Sequence, residues 1–175
     1  GNSRCITRKT NMINCTFENG NVANPGLRHI TVPVIVVKDK QVLLGMRGTK
    51  NGKPILEAGK WGLLGGFFDR DETLVDAASR EVMEESGWTI KDPYLFVVND
   101  SPDRPMEDRQ NVDMIFVAEA DQQVGTHDEE VKELRWFDLD KLPSDNQIAF
   151  DHSLALKLYK KYKIKSLADG AIDDF

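Results

Sequence analysis

The carboxylates of Glu81, Glu84 and Glu85 are the side chains of this sequence whose types and spacing best suit chemistry. They stand at positions i, i+3 and i+4, so that a helix with about 100° per residue places all three on one face. Hard oxygen ligands grouped in this way suit Mg²⁺ or Mn²⁺. Taken alone, such a run is more often a solvated helix face. The wider sequence decides between the two interpretations.

The three glutamates belong to a longer pattern between Gly66 and Trp88, which reads GFFDRDETLVDAASREVMEESGW. Its specified positions are Gly66, Glu72, Arg80, Glu81, Glu84, Glu85 and Gly87. At residue frequencies of about 7% each, such a match arises by chance on the order of once in a million chains of this length. Chance is a poor explanation, and the metal-site interpretation is therefore preferred.

Local signals place the glutamates on a helix that follows a glycine turn. Thr73 with Asp76 three residues later approximates a capping box, and Gly87 suits a left-handed C-terminal cap. The predicted buried stripe consists of Leu74, Val75, Ala77, Ala78 and Val82. Before the helix, Trp61–Leu64 is predicted as a short strand that runs into Gly65 and Gly66, where the backbone can approach a metal or phosphate closely.

The segment from Gly66 to Trp88 resembles the signature of the Nudix hydrolases, Gly-x5-Glu-x7-Arg-Glu-aliphatic-x-Glu-Glu-x-Gly-apolar, and is called the Nudix box below. Every fixed position is matched, with Val82 and the bulkier Trp88 at the two apolar places. Leu64 stands where members of the family often have a proline, a change expected to affect loop stiffness more than chemistry. The order of elements agrees from about residue 28 to 162, but only the box is specific.

The resemblance implies a divalent-metal-dependent hydrolase that splits a diphosphate linkage in a nucleoside diphosphate joined to another group. The chemistry of the residues agrees, because carboxylates alone would repel a polyanionic diphosphate and become useful by holding cations. Bound metals also lower the pKa of water and neutralise charge on the transferring phosphoryl group. The expected cofactor is Mg²⁺ or Mn²⁺, and the expected partner is a small nucleotide substrate.

Carried over position by position, the resemblance implies roles for the residues of the box. The expected metal ligands are Glu81, Glu84, Glu85 and the carbonyl of Gly65. Arg80 is expected to pair with Glu72 and to orient the loop on the helix, with contact to substrate phosphate as its rival role. Arg80, Glu81 and Glu84 are the catalytic candidates of the box, and Gly66, Glu72 and Gly87 support the motif.

The general base has two possible sources, a glutamate of the box or an acidic residue of a later loop. The loop Gly125-Thr126-His127-Asp128-Glu129-Glu130 precedes the predicted strand Val131–Phe137. Glu130 is the first choice because it directly precedes the strand, and Glu129 is the alternative that reaches the metals. An exposed acidic turn with no role is about as plausible.

Candidate substrate contacts lie outside the box. Arg47 ends the predicted strand Gln41–Met46 and suits a phosphate contact, although an ordinary surface arginine fits nearly as well. Phe68 could stack on a base, but by default at least one of Phe67 and Phe68 is core. Arg104 and Arg109 belong to a long polar loop, which is the kind of segment that often sets specificity.

Length and composition fit one small globular domain. The resemblance implies a Nudix domain at residues 27–165, with an irregular lead-in at 1–26 and a tail at 166–175. The net charge of −6 argues against a general nucleic-acid-binding surface. The longest apolar run is too short to cross a bilayer and no signal peptide is visible, so a cytoplasmic location is expected. Cys5 and Cys15 lack the further ligands of a zinc site. A homodimer is possible, since members of the family commonly dimerise.

The expected fold class is α/β, a mixed sheet sandwiched between helices, as the resemblance also implies. Predicted strands at Ile30–Val37 and Gln41–Met46 form a hairpin, and others lie near Tyr94–Val98 and Met114–Ala120. A short helical turn is expected at Asp138–Leu142. The last helix, about Asp151–Tyr162, is expected to pack through residues that include Leu154 and Leu158.

Two kinds of hydrolase and one ligand sensor remain as candidate functions, while a structural or interaction domain with an acidic helix is disfavoured by the match at seven positions. The preferred one is hydrolysis of ADP-ribose or another nucleoside diphosphate sugar, because the long arginine-bearing loop and the acidic balance favour a small substrate. The alternatives are a nucleoside triphosphate pyrophosphatase that removes damaged nucleotides and a non-catalytic ligand sensor on the same fold. The intact box argues against the sensor.

Overall fold

The structure is a computed structural model that describes residues 28–104 and 110–168, with side chains described as far as residue 163. A seven-stranded sheet lies between two helices, and a separate two-stranded hairpin lies beside it. The elements are β1 (Ile30–Thr31), β2 (Val34–Lys38), β3 (Gln41–Arg47), β4 (Thr49–Lys50), β5 (Lys53–Pro54), β6 (Trp61–Gly62), α1 (Leu74–Ser86), β7 (Trp88–Asn99), β8 (Val112–Gln123), β9 (Val131–Asp138) and α2 (His152–Ala168). The predicted lead-in, with Cys5 and Cys15, lies outside the described residues.

The sheet is mixed, as expected. β1 and β2 pair in succession with β8 in parallel, and Pro33 separates them because it has no backbone N–H to donate. β7 pairs with β8 antiparallel, and β9 pairs antiparallel along the whole of β3. β2 pairs with only the first part of β3, and β6 pairs with the rest of it. The segment that leads into the box therefore starts in the centre of the sheet.

Each face of the sheet packs against one helix, because alternate strand residues point to opposite faces. Val34, Val36 and Leu43 belong to the core cluster that contains Ala77, Ala78 and Val82 of α1. Ile35, Val42 and Leu44 belong to the second cluster, with Ala155, Leu156 and Tyr159 of α2. This is the predicted α/β/α sandwich.

The box helix begins and ends as the sequence predicts. The Thr73 hydroxyl accepts the backbone N–H of Asp76, whose carboxylate accepts the N–H of Thr73 in return. Gly87 closes the helix in the left-handed conformation, with φ of 71°. The buried stripe contains Ala77, Ala78 and Val82 as predicted, but Val75 is exposed. Val75 was assigned to the stripe wrongly, since the helix presents it to solvent.

The last helix packs through a different stripe from the predicted one. Leu154 and Leu158 are 63% and 45% exposed, whereas Ala155, Leu156 and Tyr159 are buried. The prediction for Leu154 and Leu158 was wrong because small and aromatic residues, not the leucines at that spacing, contact the sheet. α2 continues to Ala168, past the predicted domain end at 165. At the expected turn of helix, Asp138–Leu142, the described chain makes a hydrogen-bonded turn, with the N–H of Lys141 donating to the carbonyl of Asp138 at 2.8 Å, but forms no helix. A 3-10 helix forms at Asp145–Gln147.

In the described part of the chain, no helix is long and apolar enough to cross a membrane.

Candidate active site

A cavity of about 650 Å³ opens between the C-terminal end of β1, the glycine turn after β6 and the glutamate face of α1. The loop before β9 and the segment before α2 complete its walls. Many of the side chains that line it are carboxylates, which a neutral substrate would not require. Glu81, Glu84 and Glu85 line it together, so the structure places the three box glutamates on one surface as the spacing predicts. Their exposure differs, because the Glu81 side chain is 14% exposed and that of Glu84 is 55% exposed.

Arg80 connects the box glutamates to the loop that precedes the helix. Its Nη2 donates to Glu72 Oε1 at 2.8 Å and to the carbonyl of Phe67 at 3.1 Å. Its Nη1 donates to Glu81 Oε1 at 2.7 Å and to Glu84 Oε2 at 3.3 Å. The predicted pairing of Arg80 with Glu72 is therefore present, and the guanidinium holds loop and helix together through four groups.

The paired glycines bring the backbone into contact with the glutamates. The N–H of Gly65 donates to Glu85 Oε2 at 2.7 Å, and Gly65 adopts φ of 140°. A Cβ at Gly65 would lie 2.4 Å from the carbonyl oxygen of Val32. A Cβ at Gly66 would lie 2.6 Å from Glu81 Oε2. A side chain at Gly65 would collide with the backbone of Val32 and Pro33 in a conformation that favours glycine, whereas one at Gly66 would displace the Glu81 carboxylate.

Burial changes the proton affinity of two box glutamates. Burial raises the pKa of Glu85 to about 8, and the negative charge of Glu81 acts in the same direction against the N–H of Gly65. Burial also raises the pKa of Glu81, with the hydrogen bond from Arg80 opposing it. Both carboxylates therefore lack enough positive charge nearby to stay ionised at no cost, and a cation would remove that cost.

The donor set of the box fits a hard divalent cation. Glu81, Glu84 and Glu85 supply carboxylate oxygens from one helix face, beside the backbone of Gly65. As the described side chains stand, no three carboxylates, imidazoles or thiolates are gathered into one ligand group. The three carboxylates are kept apart because Arg80 holds Glu81 and Glu84, while the N–H of Gly65 holds Glu85. A cation at this face would compete with Arg80 for the oxygens.

The acidic loop before β9 faces the box across the cavity. Asp128 and Glu130 line the cavity, and Glu130 Oε1 lies 2.6 Å from Lys50 Nζ. The Glu129 carboxylate instead accepts the backbone N–H of Asn51 at 2.7 Å. Of the two glutamates predicted to act from this loop, the geometry favours Glu130. The expectation that Glu129 reaches the metals is not supported by its placement, because its carboxylate is held by the backbone of the β4–β5 turn.

The last glycine of the box holds this loop. The carbonyl of Gly87 accepts the N–H groups of Val124 at 2.8 Å and Gly125 at 3.1 Å. A Cβ at Gly87 would lie 2.1 Å from the carbonyl carbon of Gly125. Gly87 therefore has a second reason to be glycine besides its left-handed backbone, since the acidic loop begins against its Cα.

Arg47 lies in the cavity beside the glutamates. Its Nε donates to the carbonyl of Leu56 at 2.7 Å, and its guanidinium lies 5.0 Å from the centroid of the Phe150 ring. Burial lowers the pKa of Arg47, with the charges of Glu85, Glu130 and Glu57 opposing. A half-buried cation at this point is well placed to meet an anion, and the predicted phosphate contact stays a prediction.

The two phenylalanines after the glycine turn face different ways. Phe67 lines the cavity, whereas Phe68 packs against the core cluster beneath α1. The placement of Phe68 against the core does not favour it as the substrate-stacking residue; Phe67 is the one that reaches the cavity, and stacking on a substrate stays a prediction. The physical reason is alternation, since successive residues of an extended segment point to opposite sides.

Arg104 lies at the far wall of the cavity and is engaged by two aspartates. Its Nη2 lies 2.6 Å from Asp113 Oδ2 and 2.7 Å from Asp151 Oδ1, and its Nε donates to Asp151 Oδ2 at 2.9 Å. Burial works to lower the pKa of Arg104, and the two aspartates more than offset it. The pairing was not foreseen, and the predicted substrate contact of Arg104 stays a prediction. Arg109 lies outside the described residues.

Several cavity residues were missed by the sequence analysis. They are Lys50, Asp113, Asp128, Phe150 and His152. Asp113 carried a signal, since it is a charge inside the apolar strand β8. No such signal was present for His152, because it is a single histidine at the start of a predicted helix. Its Nδ1 accepts the N–H of Leu63 at 3.1 Å, and burial lowers its pKa to about 4.

Comparison with known proteins agrees with this geometry. The NUDIX domain family model matches residues 27–159. The chain is 32% identical over 134 residues to an ADP-ribose pyrophosphatase from Methanocaldococcus jannaschii, covering 77% of this chain and 74% of that protein. It is 35% identical over 120 residues to an oxidized purine nucleoside triphosphate hydrolase from Danio rerio, covering 67% and 71%. A MutT NUDIX hydrolase from Burkholderia pseudomallei superposes with a TM-score of 0.56 at 26% identity, covering 75% of this chain and 97% of that one.

The chain therefore belongs to the Nudix family, with the family's fold and its complete box. It is an enzyme of that family, a Nudix pyrophosphohydrolase.

Proposed function

We propose that this enzyme hydrolyses the diphosphate linkage of a nucleoside diphosphate derivative, with ADP-ribose or another nucleoside diphosphate sugar as substrate. The observation that carries the proposal is the cavity that Glu81, Glu84 and Glu85 share with the cations Arg47 and Lys50. Acidic and basic groups on facing walls suit a diphosphate that is bound partly through metal ions and partly through side-chain cations. The name of the Methanocaldococcus jannaschii relative supports ADP-ribose within this class.

The proposed cofactor is Mg²⁺, or Mn²⁺, held by the carboxylates of Glu81, Glu84 and Glu85. When bound, such an ion supplies charge neutralisation for the phosphoryl group and an activated water. Arg80 holds the glutamate face in register with the glycine turn through Glu72 and the Phe67 carbonyl. Arg47 supplies positive charge to the substrate phosphates, and Phe67 forms the aromatic wall.

Glu130 is the proposed proton acceptor, with Asp128 beside it as the second candidate. Both carboxylates line the cavity opposite the box, and the Glu130 N–H donates to Asp128 Oδ1 at 2.9 Å, which fixes one relative to the other. A base on the wall opposite the metal ligands can take a proton without removing an oxygen ligand from the metal.

A cytoplasmic location and a homodimer also stay predictions.

A nucleoside triphosphate pyrophosphatase is the second candidate, because the Danio rerio relative at 35% identity carries that kind of name. A ligand sensor without activity is the third. A panel of ADP-ribose, a uridine diphosphate sugar, dGTP and 8-oxo-dGTP, each with Mg²⁺ and with EDTA, separates the three. Phosphorus NMR of the products distinguishes a monophosphate pair from a nucleoside monophosphate with pyrophosphate.

The expected result is Mg²⁺-dependent conversion of ADP-ribose to AMP and ribose 5-phosphate, lost in Glu85→Gln. The matched control is Glu119→Gln on β8, where the glutamate side chain is 41% exposed and pairs with Lys91 of β7. Preferred turnover of 8-oxo-dGTP would establish the second candidate. Tight binding of ADP-ribose without turnover of any compound would establish the sensor and overturn the proposed hydrolysis.

A further inference from the structure

The β4–β5 hairpin holds the backbone of the acidic loop. The N–H of Gly48 donates to the carbonyl of Glu130 at 2.7 Å, and that of Thr49 donates to the carbonyl of Glu129 at 2.9 Å. The Asn51 N–H holds the Glu129 carboxylate at 2.7 Å. A Cβ at Gly48 would lie 2.7 Å from the Glu129 carbonyl oxygen, so the two backbones are in direct contact. The loop backbone is thus fixed, and what can change is the orientation of the Glu130 side chain.

The partner of that side chain is Lys50, on the same hairpin. Lys50 Nζ lies 2.6 Å from Glu130 Oε1, and the two side chains are 63% and 30% exposed. An ion pair this exposed contributes little to stability, because water screens the charges and two long side chains lose freedom. Either member can therefore change partner at little cost.

The other cations of the cavity are more strongly engaged than Lys50. Arg80 is 30% exposed and contacts Glu72 and Glu81. Arg104 is 3% exposed and contacts two buried aspartates. Arg47 is half-buried and donates to the Leu56 carbonyl. Among the cavity cations in the described ranges, Lys50 is thus the most exposed to an arriving anion.

We propose that Lys50 is a phosphate-binding residue that works by exchange of partners. It holds Glu130 in the substrate-free enzyme and moves to a phosphate oxygen of the bound substrate, which releases the Glu130 carboxylate inside the cavity. The exchange is favourable because a diphosphate carries about two negative charges and a carboxylate one, so the ammonium is attracted more strongly to the diphosphate. The proposal rests on the proposed function, since it requires a phosphorylated substrate in this cavity.

Exchange makes substrate binding and the release of Glu130 one event. Without substrate, the Glu130 carboxylate is held by Lys50 at 2.6 Å. With substrate, the phosphate removes that cation. This exchange differs from a purely structural ion pair because Glu130 competes with the substrate for Lys50.

Binding of α,β-methylene-ADP, a diphosphate analogue whose bridge cannot be hydrolysed, tests the exchange by calorimetry in the presence of Mg²⁺. We expect Lys50→Met to raise the Kd about fivefold to tenfold, whereas Lys50→Arg stays within about twofold because the charge is kept. The matched control is Lys53→Met. Lys53 is exposed on the same hairpin and pairs in register with Lys50, but does not line the cavity, so its Kd is expected to equal that of the wild type.

Glu130→Gln distinguishes exchange from a structural pair. Exchange predicts that removing the competitor lowers the Kd about twofold to fivefold when Lys50 is present, and by less in the Lys50→Met background. A merely structural pair predicts that Glu130→Gln and Lys50→Met weaken binding alike. Weaker binding by Glu130→Gln overturns the exchange, and this test stands even if Lys50→Met does not fold.

The two proposals fail in different ways. Wild-type turnover of ADP-ribose together with an unchanged Kd in Lys50→Met refutes the exchange and leaves the proposed function intact. A wild-type protein that neither hydrolyses the nucleotide panel nor binds α,β-methylene-ADP refutes both.

Discussion

Gly66 lies directly against the carboxylate of Glu81, so that a Cβ atom at position 66 would lie 2.6 Å from Glu81 Oε2. The carbonyl of Gly66 also accepts the N–H of Val32 at 2.9 Å, which fixes the glycine to the strand region. The first glycine of the box and its first helical glutamate are thus in contact, and the glycine turn sets where that carboxylate lies.

Replacement of Gly66 by alanine is expected to reduce kcat/KM about 100-fold, because displacing a reacting group by about 1 Å has an effect of that order. Gly66 is not among the glycines with positive φ, so the backbone accepts alanine and the circular dichroism spectrum should stay that of the wild type. Gly125→Ala is the control, since its Cβ would come no closer than 3.4 Å to the Cα of Gly87. Equal activity of Gly66→Ala and the wild type would refute the contact.

Glu85 is expected to make the metal-free protein less stable as the pH rises. Its folded pKa of about 8 lies above the ordinary value of 4.5, so the folded state binds the extra proton between these values. Stability attributable to Glu85 is therefore fully present below pH 4.5 and is lost as the pH rises through 8. Between pH 6 and 8 the loss is about 2 kcal/mol.

Urea unfolding in EDTA at pH 6 and pH 8 measures this loss for the wild type and for Glu85→Gln, which cannot ionise. The difference between the two proteins isolates Glu85 from other titrating groups. Added Mg²⁺ should restore more stability at pH 8 than at pH 6, because a cation favours the ionised carboxylate. A pH slope that is the same in both proteins would count against the raised pKa.

Removing Arg104 is expected to destabilise the fold by about 3 to 5 kcal/mol, since Arg104→Met leaves Asp113 and Asp151 buried without their cation. Both aspartate side chains are under 10% exposed. Lys157→Met is the control, because Lys157 forms an exposed pair with Asp145, whose removal should cost less than about 1 kcal/mol. Denaturant midpoints measure both, and similar losses in the two variants would contradict the buried network.

His152 is expected to weaken the protein in acid. Burial holds its pKa at about 4, below the unfolded value of 6.5, with Asp113 and Asp151 opposing and Arg47 and Arg104 assisting. Stability attributable to a neutral His152 is present above pH 6.5 and is lost as the pH falls through 4.

The expected loss between pH 7 and pH 4.5 is on the order of 2 kcal/mol. It should be smaller in His152→Gln, which cannot take the proton, and unchanged in a variant of the exposed His127. Denaturant midpoints at the two pH values give the comparison. An acid loss of the same size in His152→Gln would contradict this role of His152.

The acidic loop gives a prediction that separates neighbouring residues. Glu130→Gln is expected to lower kcat by at least about tenfold, because its carboxylate lines the cavity. Glu129→Gln should change kcat by less than about threefold, since the Glu129 carboxylate accepts the Asn51 N–H and an amide oxygen can do the same. Steady-state kinetics on the best substrate of the panel decides, and an inverted order would move the proton acceptor to Glu129.

The box helix could be predicted almost completely from the sequence because its determinants are local. The capping pair of Thr73 and Asp76, and the left-handed Gly87, act within one turn of their own helix. The three glutamates reach one cavity for the same reason, since helical spacing alone fixes their common face. Buried strands could also be predicted, because apolar runs such as Val34 to Val37 leave few alternatives to a sheet interior.

What could not be predicted depends on contacts between distant segments. Arg104 was interpreted as a substrate ligand because nothing near it in sequence reveals Asp151 as its partner. The face of α2 was misassigned because Leu154 and Leu158 have the right spacing but only the sheet decides which stripe is buried. Phe67 and Phe68 are equally apolar, and the direction of each is set by the hydrogen bonds of Val32 and Phe68 across the strand region.

The ion pairs of Arg104 with Asp113 and Asp151 have a consequence for folding during synthesis. Synthesis proceeds from the N-terminus and domains fold as units, so a ribosome completes the glutamate helix and Arg104 well before it delivers Asp151 and α2. Until then Arg104 lacks one of its two anions, and the wall formed by Phe150 and His152 does not exist. Because the domain folds as a unit, the buried ion pair of Arg104 with Asp151 and the closed cavity would form only after α2 has left the ribosome.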